Sequence, residues 1–119
     1  MRFARAISAV LTLASVTPVH AHAFLDHAEP RVGATVQAAP AEVKLWFTQE
    51  IEQAFSSINV RDAKGERMNT VDSQVDPADH RLLRVPLEAL PPGKYKVVWR
   101  VVSVDTHVTE GDFVFHVGQ

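Results

Sequence analysis

The feature that most constrains the fold is a succession of short apolar runs separated by turn signals, which fills the chain from residue 43 onward. β-Branched and aromatic residues dominate each run, as is typical of strands. The five clearest runs are residues 43–47, 57–61, 82–85, 95–102 and 112–117. Gly, Pro and Asp cluster between them, for example at 62–65 and 91–93. The only helical signal is a possible turn near residues 50–54. This spacing predicts an all-β antiparallel sandwich of about seven strands.

Alternation within the runs predicts which side chains form the core. In the last run, Phe113 and Phe115 lie on one face, whereas His116 lies on the other. Trp46 and Trp99 stand in similar runs, so we expect both indoles to be buried. No repeat, low-complexity tract or linker divides these runs, and we therefore predict a single domain.

The first 21 residues have the order of a secretory signal. Two arginines precede an apolar run at 6–16, and Ala21 stands where a signal peptidase cleaves. The run is shorter than the roughly 20 apolar residues that a membrane helix needs. We expect cleavage after Ala21 to leave a domain of residues 22–119 that begins at His22 and lies outside the cytoplasm. The alternative is that residues 1–21 remain as a membrane anchor.

Charge and cysteine content exclude some classes of function. The chain has 12 Lys and Arg against 14 Asp and Glu, a formal net charge of −2. No basic stripe is present that could neutralise a run of phosphates, so nucleic acid is not an expected partner. The chain also has no cysteine. Packing alone must therefore stabilise the exported domain, and thiolate chemistry is excluded.

Two positions stand out among the six histidines. A histidine at a free amino terminus offers both its α-amine and its imidazole Nδ1 to one metal ion, and cleavage would place His22 there. The second position is the triplet Asp105-Thr106-His107. In an extended segment residues i and i+2 point the same way, so we expect Asp105 and His107 to converge on one ion. Either could act as a ligand or orient one.

The remaining histidines carry weaker expectations. His20 would leave with the signal, and His80 lies in a polar stretch typical of a solvated loop. His116 lies on the face of the last strand opposite Phe113 and Phe115 and is expected to be an edge or half-buried structural histidine. His27 has acidic neighbours, so it could be either a surface residue or an additional ligand.

Several segments of the chain resemble those of a known family. Residues 99–107, Trp-Arg-Val-Val-Ser-Val-Asp-Thr-His, with Gly111 after them, resemble the carboxy-terminal signature of the CopC copper-resistance family. Residues 22–25, followed by Pro30, resemble the mature amino terminus of those proteins. Two further segments, 44–48 and 92–97, are also similar. The resemblance covers essentially all of the expected mature chain.

The resemblance implies a cupredoxin-like, Greek-key β-sandwich that binds one Cu(II) ion in the periplasm. The family's ligand roles fall on His22, Asp105 and His107. The implied role is carriage or sequestration of copper rather than catalysis, with a CopD-type inner-membrane copper transporter as partner and a monomeric state. The nitrogen-rich donor set agrees, because such sites suit Cu(II).

Departures from the family pattern refine this expectation. Some members have a methionine-rich loop for Cu(I), but here only Met68 would remain after the signal leaves. A separate Cu(I) site is therefore not expected, and a blue-copper site is excluded because it needs a cysteine ligand. Gln49 and Glu50 stand where some members place an acidic residue near the copper, and their part in the site remains open.

Two other functions fit parts of the same pattern. A copper-dependent oxidative enzyme could use an amino-terminal histidine in a similar way, as lytic polysaccharide monooxygenases do. The other alternative is an exported immunoglobulin-like interaction module whose histidines are incidental. The sequence leaves open whether copper travels outward for resistance or inward for supply.

Overall fold

The computed structural model describes residues 22–118, together with Ala9, Val10 and Thr12. The predicted signal peptide, residues 1–21, otherwise lies outside the described residues. In the part of the chain that is described, no helix is long and apolar enough to cross a membrane.

Within the described residues, eight strands form two four-stranded sheets. The strands are β1 Leu25–Glu29, β2 Thr35–Val36, β3 Glu42–Phe47, β4 Ser57–Arg61, β5 Gln74–Val75, β6 Leu82–Pro86, β7 Gly93–Val102 and β8 Val108–Val117. The first sheet has the order β1-β3-β6-β5, and the second has the order β2-β8-β7-β4. A short 3₁₀ turn, Gln53–Phe55, precedes β4.

The core lies between the sheets, because each long strand alternates apolar and polar residues with a period of two. In β3 the alternate residues Val43, Leu45 and Phe47 are buried. In β8 Phe115 is fully buried, whereas His116 lies on the opposite face, as predicted, and is exposed there rather than half-buried. The two inner faces thus form one apolar layer.

Trp99 occupies the inner face of β7, where it is buried as predicted and packs edge-on against Phe47 with ring centroids 5.2 Å apart. Its partner on β8 is Gly111. A Cβ added at Gly111 would stand 2.4 Å from Trp99 Cζ2 and 2.7 Å from Trp99 Cε2. Gly111 is therefore required so that the indole can lie across β8.

The second sheet contains a feature that the runs did not predict. Four of the five predicted runs agree with an observed strand to within two residues at both ends, but β8 begins at Val108, four residues before the predicted start. β2 and β5 have only two residues each. β2 also pairs with β8 in parallel, so the sheets are not wholly antiparallel. Strands this short carry no periodicity that a sequence pattern could detect.

The prediction that Trp46 fills the core is wrong. Trp46 alternates with the buried Leu45 and Phe47 and lies half-buried on the outer face of β3. Its indole stacks on the His27 ring of β1 at a centroid distance of 4.3 Å and an interplanar angle of 9°. His27 in turn lies 2.6 Å from a carboxylate oxygen of Asp26. The indole is thus covered by a surface histidine rather than by the core.

Further along the same outer face, an ion-pair cluster links β3, β6 and the loop after β5. Arg84 donates two hydrogen bonds to Glu42, at 2.8 and 3.0 Å, and a third to Asp76 at 2.8 Å. The Arg84 hydrogen bond lowers the pKa of Glu42 from its ordinary 4.5. The pKa of Asp76 is lowered from 3.8, mainly by the Ala78 N–H and then by Arg84. We call these three side chains the Arg84 cluster.

Candidate metal centre

Three segments of the chain meet at one end of the sandwich. The residues before β1 lie beside those after β3, because the Thr48 N–H donates to the Phe24 carbonyl at 2.9 Å. The residues after β3 also reach the turn between β7 and β8, where the Val104 N–H donates to the Glu50 carbonyl at 3.1 Å. Ile51 forms an antiparallel bridge with Ser103. These contacts bring the start of the domain and its carboxy-terminal hairpin together.

The first residues of the described domain are held against this end. The Ala23 side chain is fully buried in the core. Its carbonyl accepts a hydrogen bond from the Thr109 hydroxyl at 2.6 Å. On the other side, the Thr48 hydroxyl accepts from the Phe24 N–H at 2.9 Å and donates to the His22 carbonyl at 3.3 Å. His22 is half-buried and has a defined place on the sandwich.

This placement puts the His22 ring against the His107 ring. The ring centroids are 4.7 Å apart, and the ring planes are inclined at 72°. Phe24 flanks the same ring, with its centroid 5.9 Å from that of His22. Two imidazoles from opposite ends of the domain thus come together, as a metal site shared by His22 and His107 would require.

Asp105 and His107 also converge, but for a different reason from the one that the sequence suggested. They lie in the turn that joins β7 to β8 rather than in an extended segment. Thr106 has φ of 71°, and its N–H donates to the Ser103 carbonyl at 2.8 Å. A positive φ is rare for a β-branched residue. The tight turn, not strand alternation, directs both side chains to one place.

Ser103 fixes the carboxylate of Asp105 inside this turn. The Ser103 side chain is fully buried, and its hydroxyl donates to Asp105 Oδ1. His107 Nδ1 lies 3.2 Å from the same oxygen. The Ser103 hydrogen bond is the largest influence on the carboxyl and lowers the pKa of Asp105 from its ordinary 3.8, and the His107 ring adds to this against partial desolvation. Asp105 is thus an anion that orients the His107 ring.

The side chains alone do not complete a metal site. In the described ranges, no group of three His, Cys, Asp or Glu side chains is placed so that it could hold a metal ion. Here His22 is joined to Ala21 through its main-chain nitrogen. The arrangement therefore lacks a further nitrogen donor beside the two rings, and a free amine at His22 is the group that would supply it.

The other candidate residues lie outside this contact. His27 stacks on Trp46, and His80 is exposed, in agreement with the solvated loop expected for it. His116 is also exposed. Glu50 borders the turn through its main-chain carbonyl, and its side chain is exposed. Gln49 beside it is half-buried.

Sequence reasoning missed the hydroxyl groups that organise this end. Ser103, Thr48 and Thr109 each form a hydrogen bond with a candidate ligand or with the main chain beside one. Ser103 stands two residues before Asp105, which was a usable signal, because a serine there can reach the carboxylate of a turn. Thr48 and Thr109 are distant in sequence from His22, and no local pattern connects them to it.

Comparison with known proteins gives consistent matches. Residues 25–118 match the model of the CopC domain. The chain is 42% identical over 111 residues to protein YobA of Escherichia coli K12, covering 92% of this chain and 90% of that protein. It is 35% identical over 104 residues to copper resistance protein C of Escherichia coli, covering 82% of each.

A longer protein contains a similar segment. The chain is 30% identical over 100 residues to the copper transport protein CutJ of Bacillus subtilis, a match that covers 83% of this chain and only 18% of CutJ. Among solved structures, the crystal structure of CopC from Methylosinus trichosporium OB3b superposes with a TM-score of 0.76 at 36% identity, covering 82% of this chain and 94% of that one.

These matches confirm the predicted β-sandwich class. They also agree with the prediction that the chain is not an enzyme, because the names of the informative relatives describe copper resistance and copper transport. The oxidative enzyme and the general interaction module are correspondingly disfavoured. The chain belongs to the CopC family and is a protein of copper binding and homeostasis.

Proposed function

We propose that the mature chain, beginning at His22, binds one Cu(II) ion at the end of the sandwich where His22 meets His107. The observation that carries the proposal is the contact between these two rings, 4.7 Å apart, which come from opposite ends of the domain. The ligands are the His22 amine and ring, the His107 ring and the Asp105 carboxylate.

The contacts within the turn suggest which atoms are available to the ion. His107 Nδ1 and Asp105 Oδ1 lie 3.2 Å apart, so the ring and the carboxylate are close enough to bind the same ion. Asp105 Oδ1 is engaged by both Ser103 and His107, so Oδ2 is its oxygen for the ion.

The donor set favours Cu(II) over Cu(I). Amine and imidazole nitrogens with a carboxylate suit Cu(II), whereas thiolates and thioethers select Cu(I). The chain has no cysteine, and Met68 is packed against the hydrophobic core rather than placed beside the histidines. One Cu(II) site per chain is therefore the stoichiometry that we propose, in a monomer.

The amine becomes available only if the chain is cleaved between Ala21 and His22. We propose that residues 1–21 are a signal peptide removed on export and that the protein works in the periplasm. The order of charged, apolar and small residues in this segment supports the proposal.

The proposed role is to carry or sequester Cu(II) and to hand it to a CopD-type inner-membrane transporter. Support comes from the longer relative CutJ, named a copper transport protein, in which a segment similar to this chain makes up about a fifth of the length. A domain found within one longer protein can act in other cases as a separate partner.

The test compares the mature chain beginning at His22 with a chain that carries one additional alanine before it. We expect tight Cu(II) binding by competition titration and a nitrogen-rich tetragonal EPR spectrum for the first chain only. The added residue should lower the affinity by orders of magnitude while the circular dichroism spectrum stays unchanged. Equal, weak binding by both chains would refute the amino-terminal site.

A matched pair of histidine variants completes the test. His107→Ala should also abolish tight binding, because it removes a ring that contacts His22. His116→Ala is the control, since His116 lies in β8, the strand that follows His107, but is exposed on its outer face. Similar effects of the two substitutions would contradict the proposed ligand set.

A further inference from the structure

Two threonine hydroxyls hold the main chain of the first three described residues of the domain. Thr48 accepts a hydrogen bond from the Phe24 N–H at 2.9 Å and donates one to the His22 carbonyl at 3.3 Å. Thr109 donates to the Ala23 carbonyl at 2.6 Å. Each of the three residues is therefore fixed by at least one hydroxyl group, and we call Thr48 and Thr109 the hydroxyl clamp.

The clamp reaches from one sheet to the other. Thr48 follows β3 in the first sheet, whereas Thr109 lies in β8 of the second. Between them the Ala23 side chain is fully buried. Thr109 is also two residues from His107, so the group that fixes Ala23 belongs to the same strand end as the histidine that meets His22.

Chain termini are ordinarily among the least ordered parts of a domain unless they are tied down. A terminal residue that binds a metal must lose this freedom on binding, which weakens the affinity. A hydrogen bond to the His22 carbonyl fixes the Cα from which both the amine and the ring of that residue extend. A clamp of this kind would reduce the entropy lost on metal binding, because the terminal residue would already be ordered in the metal-free protein.

We propose that Thr48 and Thr109 are positioning residues of the copper site, which hold the His22 amine and ring against His107 through main-chain hydrogen bonds. This inference rests on the proposed function, because it concerns the same site. Neither hydroxyl touches the ion itself, and each acts through the main chain of residues 22–24.

Valine replaces threonine with almost no change of shape, so Thr48→Val and Thr109→Val test the hydroxyls alone. Releasing one backbone residue corresponds to a weakening of about 5- to 30-fold in Cu(II) affinity. We expect a loss in this range for each variant, measured by competition titration on the mature chain. EPR should report a less uniform nitrogen coordination in the valine variants.

Two controls separate positioning from general stability. Thr48→Ser and Thr109→Ser restore a hydroxyl and should recover most of the affinity. Thr35→Val changes an exposed threonine in β2 and should leave it unchanged. Urea unfolding of every variant shows whether it is folded under the binding conditions. Valine variants that are folded and bind Cu(II) as tightly as the unaltered chain would overturn the proposal.

The valine variants are also combined with the additional alanine before His22. If the clamp acts by holding the amine, the combined loss should be smaller than the product of the two separate losses, because both changes remove the same ligand. Losses that multiply would overturn the clamp while the proposed copper site stands. If the unaltered mature chain binds no better than its extended form, the proposed function and the clamp fall together.

Discussion

Gly111→Ala is the substitution whose cost the structure defines most directly. The new Cβ would lie 2.4 Å from Trp99 Cζ2 and 2.7 Å from Trp99 Cε2, which is too close for carbon atoms that are not bonded to each other. The indole cannot simply withdraw, because Trp99 is 8% exposed and packs against Phe47. Its main chain is also paired on both sides, with Ile58 of β4 and with Gly111 of β8.

Overpacking of this kind forces side chains away from their preferred rotamers and typically costs about 1–3 kcal/mol. The high end applies here, since two ring atoms would have to move by about 1 Å or more to reach ordinary contact. A loss of about 2–3 kcal/mol lowers the melting temperature of a domain of this size by about 8–20 °C. Urea unfolding followed by circular dichroism measures the free energy, and calorimetry measures the melting temperature.

Two further variants decide whether the clash is the cause. Gly118→Ala is the matched control on the carboxy-terminal side of β8, because the three atoms nearest to its added Cβ all belong to the flexible Gln37 side chain, at 3.1 Å or more. Trp99→Phe removes both clashing indole atoms, so Gly111→Ala should cost much less in that background. A cost below about 0.5 kcal/mol for Gly111→Ala, or the same cost with Phe at 99, would refute the reasoning.

Three further outcomes are expected. Ser103→Ala removes the hydroxyl that fixes Asp105, so a carbon-13 NMR titration should show the pKa of that carboxyl rising toward its ordinary value. Cu(II) affinity should also fall about 10- to 100-fold, because residues that orient a metal ligand typically contribute that much to metal binding. His27→Ala uncovers Trp46 and should increase acrylamide quenching of its fluorescence while Cu(II) affinity stays within about twofold, because His27 lies on the indole rather than at the rings. Arg84→Met should lower the urea midpoint at pH 7, and this difference from the unaltered chain should shrink below about pH 4. The reason is that Arg84 lowers the pKa of Glu42 and, after the Ala78 N–H, also lowers the pKa of Asp76. The stabilisation is therefore present above the ordinary pKa values of these carboxyls and is lost as they take up protons.

Much of the fold could be predicted from local sequence patterns, because the longer strands are long enough to show apolar and polar alternation. The last run, which lies in β8, alternates clearly enough for its faces to be assigned from the sequence, with Phe113 and Phe115 inside and His116 outside. The position of Trp46 was predicted wrongly, because a large aromatic residue suggests the core. Its neighbours Leu45 and Phe47 occupy the inner face of β3, so Trp46 lies on the outer face. Counting the alternation along β3 predicts the outer position, whereas residue type alone predicts the wrong one.

The candidate site was only partly predictable for a related reason. His22, Asp105 and His107 could be named from residue chemistry and from the family resemblance. The contact between His22 and His107 depends on the sheet topology, which no local pattern encodes. The extended geometry assumed for Asp105 and His107 was wrong because Thr106 adopts a left-handed conformation, which sequence propensity assigns to glycine or asparagine instead.

The position of Ala23 explains why the start of the mature chain would have to be defined to a single residue. Its side chain is fully buried, and β1 begins only two residues later, so the segment cannot slide without forcing His22 or Phe24 into the space of a methyl group. One additional residue would therefore leave the fold in register and move the free amine outward by up to about 3.6 Å. A coordination bond to nitrogen is only about 2 Å long, so the displaced amine could not reach an ion held by His107 and Asp105. The burial of Ala23 thus makes copper binding depend on the proposed cleavage between Ala21 and His22. It also predicts that the domain folds equally well with or without this cleavage.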